Sequence, residues 1–309
     1  MSTYLIGIDV GGTTVKIGKF LHTGEMINSY EIKTDTSDNG KNILFDIYRS
    51  LLDREEDLNE IIGYGFGVPG PVTNNIVTQC VNLGWENYDI RERFGAMVQN
   101  NNIFVNNDAN VAALGELFGG AAKGKKDVVM MTLGTGLGGG VIANSIPVEG
   151  HDGAGGELGH MIVDIHNGRQ CNCGSKGCLE TIASATGIVR EFKQLRDELT
   201  MPSILDKRKY ISAKAVMDAA KDGDQLSVNT VDNVAFFLGY ACHIISITTN
   251  PEVIVIGGGV SRAGSFLLYK IVNEFREYKF SAVKETKIVL AELGNDAGMY
   301  GAALLVLNG

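Results

Sequence analysis

The feature of this sequence that most constrains the fold is a strand–glycine turn–strand pattern that occurs twice. The first copy spans residues 4–20 and the second spans residues 128–143, and each has a glycine-rich turn near its middle. An apolar run that passes through a short glycine turn into a second apolar run is typical of a β-hairpin. Because helical patterns follow both copies, the sequence predicts an α/β fold built from two related lobes.

The repeat also sets the expected domain division, since no low-complexity linker separates the lobes. We expect a small α/β lobe formed by residues 1–110 together with 297–309, and a larger α/β lobe formed by residues 111–296. Apolar residues at helical spacing support this arrangement. They predict helices over 42–54, 109–122, 181–199, 213–221, 226–249, 263–279 and 297–307.

Charge and hydropathy indicate which kinds of binding partner this chain is suited to. The 309 residues carry a net charge of −9, and the lysines and arginines are scattered, which disfavours nucleic acid and anionic membranes. No apolar run reaches the roughly 18 residues of a membrane span, and the longest candidate, 236–247, is interrupted by His243. A strand-like segment begins at Tyr4, which leaves little room for a secretory leader. We therefore expect a cytoplasmic protein.

The first glycine turn combines a carboxylate with exposed backbone amides. Asp9 ends the apolar run and is followed by Gly11, Gly12 and Thr13. Concave turns of this kind can hold phosphate oxygens, and the aspartate can position Mg²⁺. The alternative is a hairpin turn without a ligand, for which two glycines are also common.

The second turn matches a dinucleotide-binding pattern in letters but not in context. Residues 134–139 read G-T-G-L-G-G, yet a strand-like run follows where that fingerprint requires a helix. Between the two turns, Asn107 and Asp108 follow the strand-like 103–105 and open a helical pattern. An aspartate there is either a helix cap or, beside a phosphate turn, a general base for a substrate hydroxyl.

The segment from Glu157 to Glu180 concentrates groups that can bind metal. Cys171, Cys173 and Cys178 lie close together with glycines between them, so a tight turn can bring several thiolates to one zinc ion. The alternative is a set of ordinary buried thiols, and the odd count of five cysteines disfavours a disulfide. Spacing alone leaves the fourth ligand open between His160 and His166.

These motifs together resemble the ROK family of sugar kinases and repressors, within the actin-like ATPase superfamily. The resemblance covers nearly the whole chain and rests on an ordered set of motifs. They are Asp9-Val-Gly-Gly-Thr13, Gly67-Val-Pro-Gly70, Asn107-Asp108, Leu133–Gly140, Gly156-Glu-Leu-Gly-His160, Cys171-x-Cys173-Gly-x-x-Gly-Cys178-x-Glu180 and Ile256-Gly-Gly-Gly-Val260. The resemblance implies a two-lobed actin-like ATPase (ribonuclease H-like) fold with a structural zinc knuckle in the larger lobe.

Within the family the chain is most similar to bacterial glucokinases, which implies transfer of the ATP γ-phosphate to the 6-hydroxyl of glucose in carbohydrate metabolism and glycolysis. By motif, Asp108 would be the catalytic base that takes the hydroxyl proton. The residues that would bind the hexose together with Asp108 are Asn107, Glu157, His160, Glu180, Gly67 and Pro69.

The resemblance also implies the cofactors and their ligands. Asp9 would position Mg²⁺, and two turns would hold the ATP phosphates: Gly11, Gly12 and Thr13 in the first, Thr135 and Gly136 in the second. Gly257, Gly258 and Gly259 would lie beside the adenosine. The zinc would be structural, since its ligands would all come from the protein: His160, Cys171, Cys173 and Cys178. The other ring nitrogen of His160 would then face the sugar.

Two alternatives stay open within this resemblance. One is a ROK kinase for another hexose: fructose, mannose, allose or an N-acetylhexosamine. The other, less favoured, is a sugar-sensing transcriptional regulator, because such members add a helix-turn-helix before the first strand and this sequence reaches that strand at Tyr4. The resemblance further implies a homodimer or homotetramer.

Overall fold

The structure is a computed structural model that describes residues 3–54, 57–278 and 280–309. The chain divides into two compact units. The first comprises Met1–Lys126, Gly140–Gly156 and Glu292–Gly309, and the second comprises Asp127–Gly139 and Glu157–Ala291.

The described residues form thirteen strands and nine α-helices, besides short 3₁₀ turns. The strands are β1 Tyr4–Val10, β2 Thr14–Leu21, β3 Met26–Lys33, β4 Ile61–Val68, β5 Val72–Thr73, β6 Ile76–Cys80, β7 Trp85–Asp89, β8 Ile103–Asn107, β9 Val128–Leu133, β10 Leu137–Ala143, β11 Ile146–Pro147, β12 Val253–Gly257 and β13 Lys287–Leu290. The helices are α1 Ile43–Leu52, α2 Ile90–Val98, α3 Asp108–Gly119, α4 Glu180–Ala183, α5 Ala185–Leu199, α6 Ala213–Lys221, α7 Gln225–Thr249, α8 Ser265–Tyr278 and α9 Ala297–Asn308.

The first unit is built on a five-stranded sheet in the order β3-β2-β1-β4-β8. The predicted hairpin is confirmed: β1 and β2 are antiparallel, with Asp9 opposite Lys16 and Val10 opposite Val15. Strands β4 and β8 then continue the sheet in parallel with β1. Because parallel strands end at the same edge of a sheet, the last residues of β1, β4 and β8 all reach one edge.

Close helix packing explains why the end of the chain belongs to the first unit. A Cβ added to Gly115 of α3 would lie 2.0 Å from the carbonyl oxygen of Ala297, and one added to Gly301 of α9 would lie 1.7 Å from that of Val111. Only glycine permits backbones to approach so closely. The sequence placed the domain boundary near residue 110, within α3. Because α3 packs against α9, the whole of α3 lies in the first unit, which also includes Gly140–Gly156.

The second unit contains a parallel arrangement of β9, β12 and β13, with β12 in the middle. The first residues of β10 belong to this unit and adjoin β9 in the sheet order. Helices α4 to α8 complete the unit. In the described part of the chain, one helix, α7, is long and apolar enough to cross a membrane, but 56 % of its most apolar stretch is buried inside the protein, as in a core helix.

The predicted helices are present, with differences at their ends. The pattern over 181–199 is divided by Ser184, whose backbone is extended and whose side chain caps α5 by accepting a hydrogen bond from the Gly187 N–H at 3.0 Å. The pattern over 263–279 becomes a 3₁₀ turn followed by α8, and Lys279 lies outside the described residues.

Candidate active site

The turn between β1 and β2 is closed by its own backbone. The Gly11 N–H donates to the Thr14 carbonyl at 3.0 Å, and the Thr34 hydroxyl donates to the Gly11 carbonyl at 2.7 Å. Within the described residues no group accepts a hydrogen bond from the amides of Gly12 and Thr13. The turn therefore offers two backbone donors to an anion, while the Gly11 amide is used by the fold.

Asp9 lies in an unfavourable environment for a carboxylate. Burial raises its pKa from the ordinary value of 3.8 to about 6, and the negative charges of Asp108 and Asp296 act in the same direction, whereas Lys16 opposes them. The carboxylate of Asp9 is thus close enough to those of Asp108 and Asp296 to be repelled by them. A divalent cation bound to Asp9 would remove that repulsion, so this donor set fits Mg²⁺, which binds through one or two carboxylates.

Asn107 and Asp108 stand at the junction of β8 and α3. The Asn107 side-chain oxygen caps α3 by accepting from the Ala109 N–H at 2.9 Å, and its amide group donates to the Gly70 carbonyl at 3.0 Å. Asn107 thereby ties the end of β8 to Gly70, which follows Pro69 just after β4, and Gly67 is the second-last residue of that strand. Asp108 is the first residue of α3 and is exposed, so its carboxylate is accessible to a substrate hydroxyl.

A buried polar chain behind this junction was not found from the sequence. The Asn106 amide donates to a Glu149 carboxylate oxygen at 2.7 Å, and the Asn110 amide donates to the Asn106 side-chain oxygen at 3.1 Å. The side-chain oxygen of buried Asn110 has no partner among the described residues. Glu149 comes from a distant part of the sequence, so no local pattern predicts it.

In the second unit, four potential metal ligands converge. The ligand atoms of His160, Cys171, Cys173 and Cys178 all lie within 4.8 Å of one another. Gly174 and Gly177 have positive φ angles, and these backbone conformations allow the chain to reverse direction between the thiols. Geometry therefore selects His160 over His166 as the fourth ligand. Three thiols and one imidazole form a closed Cys₃His set that could hold a zinc ion.

The thiols differ in acidity. The backbone N–H of Ser175 and a hydrogen bond from Cys171 lower the pKa of Cys173 to about 7, while burial raises the pKa of Cys178. Zinc binding requires thiolates. Cys173 is close to that state at neutral pH, whereas Cys178 would reach it when a cation lies beside it.

Two glutamates flank the cysteine cluster. Glu157 lies with a carboxylate oxygen 3.9 Å from His160 Nε2, and both side chains are partly exposed, at 49 % and 39 %. Glu180 Oε1 is 3.9 Å from Cys171 Sγ, and its other oxygen accepts a hydrogen bond from the Leu137 N–H at 2.9 Å. Glu180 therefore joins the cluster to the turn that contains Thr135 and Gly136.

A cavity of about 590 Å³ adjoins the turn that contains Thr135. Leu133, Gly134, Thr135 and Gly259 line it, whereas Gly257 and Gly258 do not. Gly258 instead packs on β9, where a Cβ would lie 2.6 Å from the Leu133 nitrogen. The remaining lining residues were not predicted as site residues, and most come from α6 and the turn after β12: Ala185, Ser212, Ala213, Lys214, Met217, Asp218, Val260, Arg262 and Ala263.

Comparison with known proteins agrees with this architecture. A model of the ROK family matches residues 5–308, so the chain belongs to the ROK family. It is 39 % identical to a glucokinase from Halalkalibacterium halodurans, over 98 % of this chain and 94 % of that protein. The crystal structure of a ROK family glucokinase from Streptomyces griseus in complex with glucose and AMPPNP is 30 % identical, with a TM-score of 0.78 over 99 % of this chain and 100 % of that one.

A regulator is also among the relatives. The chain is 28 % identical to a xylose repressor from Bacillus spizizenii, over 98 % of this chain and 77 % of that protein. The matches to the glucokinases and to the repressor each cover nearly all of this chain, and the sequence identity is higher for the glucokinases.

Proposed function

We propose that this protein is an ATP-dependent glucokinase, which transfers the γ-phosphate of ATP to the 6-hydroxyl of glucose. The observation that carries the proposal is its full-length similarity to glucokinases together with an exposed aspartate, Asp108, at the end of a strand beside a glycine turn. Phosphoryl transfer asks a protein mainly to align the reactants and to stabilise charge, and these elements suit both tasks.

Asp108 acts as the general base in this proposal. Its carboxylate accepts the proton of the 6-hydroxyl while that oxygen forms a bond to the γ-phosphorus. The bond from the γ-phosphorus to the bridging oxygen breaks, and the electron pair leaves with ADP. Exposure of Asp108 allows it to meet the hydroxyl, and its place at the start of α3 holds the carboxylate on a rigid element.

Partly exposed hydrogen-bonding groups recognise the sugar. Glu157 and Glu180 accept hydrogen bonds from hexose hydroxyls, and the ring nitrogen of His160 that faces away from the cluster donates one. Asn107 donates with the amide hydrogen that Gly70 does not use. The segment with Gly67 and Pro69 forms another part of this site. A site of this kind disfavours ligands that leave its polar groups unpaired.

The two glycine turns bind the nucleotide. Phosphate oxygens are held by the backbone amides of Gly12 and Thr13 and by the turn at Thr135 and Gly136. The Gly11 amide instead closes the hairpin by donating to the Thr14 carbonyl, so Gly11 shapes the first turn. The 590 Å³ cavity takes the adenosine, with Gly259 in its wall. Gly258 shapes that wall through its backbone contact with β9, and Gly257 pairs with Thr132 of the same strand.

Metal ions have two separate roles in the proposal. Mg²⁺ at Asp9 supplies charge neutralisation for the ATP phosphates. Zinc at the Cys₃His cluster is structural, because four protein ligands leave no open position for water. Its effect is to hold His160 and Glu180 in place at the sugar.

A coupled assay of ADP release across a panel of hexoses tests the proposal. We expect the highest kcat/KM with glucose. Equal or higher kcat/KM with fructose, mannose, allose or an N-acetylhexosamine would replace the glucose assignment by another ROK kinase activity. Failure of every hexose to stimulate ADP release would overturn the kinase proposal itself.

Similarity to a xylose repressor supports a second candidate, a sugar-responsive transcriptional regulator. The net charge of −9 disfavours it, because DNA binding relies on basic surface. An electrophoretic mobility shift that responds to sugar would establish the regulator, and its absence together with ADP release would leave the kinase.

The remaining parts of the proposal concern the state of the protein in the cell. We expect a cytoplasmic homodimer or homotetramer that supplies glucose 6-phosphate to glycolysis. Light scattering coupled to size-exclusion chromatography measures the assembly, and a monomer at micromolar concentration would contradict it.

A further inference from the structure

The first turn of α9 packs directly on the carboxylate of Asp9. Gly298 is the second residue of α9, and a Cβ added to it would lie 2.4 Å from both Cγ and Oδ2 of Asp9 and 2.9 Å from its Cβ. Real side chains do not approach so closely. A residue other than glycine at position 298 would therefore displace either Asp9 or the helix.

The start of α9 is anchored to the strand that faces Asp9. Lys16 lies opposite Asp9 in the β1–β2 pair. Its ammonium group donates to the Asn295 carbonyl at 2.9 Å and forms an ion pair with Asp296 at 3.2 Å. Asp296 immediately precedes α9, so β2 determines where the helix begins relative to Asp9.

The same helix is held from its other side by α3. Gly301 meets the Val111 carbonyl and Gly115 meets the Ala297 carbonyl, both at distances that exclude a side chain. Backbone atoms cannot rotate away as a flexible side chain can. The helix therefore cannot slide to make room at position 298, and Asp9 is the part that would have to move.

We propose that Gly298 is a positioning residue for Asp9, and that the first turn of α9 sets where this carboxylate lies. The catalytic consequence rests on the proposed function, in which Asp9 holds Mg²⁺ at the ATP phosphates. The positional claim itself is independent of any activity. It separates Gly298 from Gly301, which serves the packing of α9 on α3 and has no contact with Asp9 among its nearest atoms.

A thermal-denaturation cycle tests the positional claim without an activity assay. Gly298→Ala should lower Tm by about 3 °C or more, because the added methyl group is overpacked against Asp9. In an Asp9→Gly background the same substitution should raise Tm, since alanine favours a helix more than glycine does. Gly301→Ala, the matched control, should lower Tm in both backgrounds. An equal change of Tm by Gly298→Ala in both backgrounds would overturn the proposal.

Steady-state kinetics tests the catalytic consequence. Gly298→Ala should lower kcat on the order of 100-fold, as expected when a group that positions the reactants is displaced, while the Kd for glucose by calorimetry stays within about twofold. Gly95→Ala, which adds the same methyl group to the remote helix α2, should keep the wild-type kcat. A Gly298→Ala enzyme with wild-type kcat would overturn the role in catalysis. An inactive wild-type protein would instead reject the proposed function and leave the denaturation cycle as the test of position.

Discussion

The two units bring a carboxylate to a glycine turn by different routes. In the first unit Asp9 belongs to the strand that leads into the turn, and Asp108 directly follows a strand of the same sheet as the first residue of α3. In the second unit the residues before the turn, Thr132 and Leu133, are not acidic. The carboxylate there is Glu180, which comes from beyond the cysteine cluster and binds the Leu137 amide.

Because of this difference, the positions of the carboxylates should depend on different interactions in the two units. The acidic groups of the first unit are positioned by sheet register and by α9, which form as the chain folds. Those of the second unit, Glu157 and Glu180, stand at the two ends of a segment with little regular structure, in which the cysteine cluster could hold a metal. Loss of metal should therefore impair the second region and leave the first intact, whereas substitutions in the first should affect turnover more than sugar binding.

The largest effect is expected at Asp108. Asp108→Asn keeps the shape of the side chain but removes the basic carboxylate, so kcat should fall by about 10² to 10⁴-fold. The Kd for glucose by calorimetry should change little, because the asparagine amide can still hydrogen-bond a hydroxyl. A variant that keeps more than a tenth of the wild-type kcat would contradict the role of Asp108 as base.

The metal dependence of the second region gives the next largest effect. Cys173 is exposed, so Cys173→Ser should leave the fold intact while it lowers the zinc content measured by mass spectrometry. The KM for glucose should rise by about 10 to 100-fold, because His160 and Glu180 would lose the metal that holds them, and substitutions around a metal site typically cost activity by this factor.

Cys242→Ala is the matched control for that variant, because Cys242 is buried in α7 and lies outside the metal cluster. It should keep both the zinc and the wild-type KM. If Cys173→Ser loses zinc while the KM for glucose is unchanged, the cluster does not support the sugar site.

Much of the fold and part of the site were predictable from the sequence, for physical reasons that differ between residues. The β1–β2 hairpin and the cysteine cluster are local patterns, and local patterns specify turns and ligand spacing. Gly298 and Glu149 could not be predicted as neighbours of Asp9 and Asn106, because their contacts join distant parts of the chain. The grouping of α3 with α9 is not a local pattern either, since the two helices lie almost two hundred residues apart in the sequence.

Two glutamate variants test whether the sugar site and the phosphate turn of the second region are coupled through Glu180. The Glu180 carboxylate accepts a hydrogen bond from the Leu137 N–H and, in the proposal, also binds the sugar. Glu180→Gln removes its charge and weakens both interactions, so the KM for ATP and the KM for glucose should each rise by about tenfold. Glu157→Gln is the contrast, because Glu157 lies beside His160 and makes no contact with the turn among the hydrogen bonds of the described residues. It should raise the KM for glucose alone, and an identical pattern in both variants would reject the coupling.

The smallest effect concerns the electrostatics of the first region. The pKa of Asp9 in the folded protein, about 6, is higher than its ordinary value of 3.8, so ionised Asp9 is less stable in the folded state than in the unfolded state. This destabilisation is absent below pH 3.8 and complete above pH 6. Without Mg²⁺, Asp9→Asn should therefore increase the free energy of unfolding, by about 1.5 kcal/mol more at pH 8 than at pH 5.

Urea titrations at the two pH values measure this difference, and Asp35→Asn provides a control of opposite sign. Hydrogen bonds from Ser37 and Asn42 lower the pKa of Asp35, so its ionised form is favoured in the folded state. Removing that charge should decrease the free energy of unfolding at neutral pH. If Asp9→Asn also decreases it at pH 8, then burial of Asp9 and its repulsion by Asp108 and Asp296 do not disfavour the ionised carboxylate in the folded state. The acidic region of the first unit would then be stabilised by the contacts of Asp9.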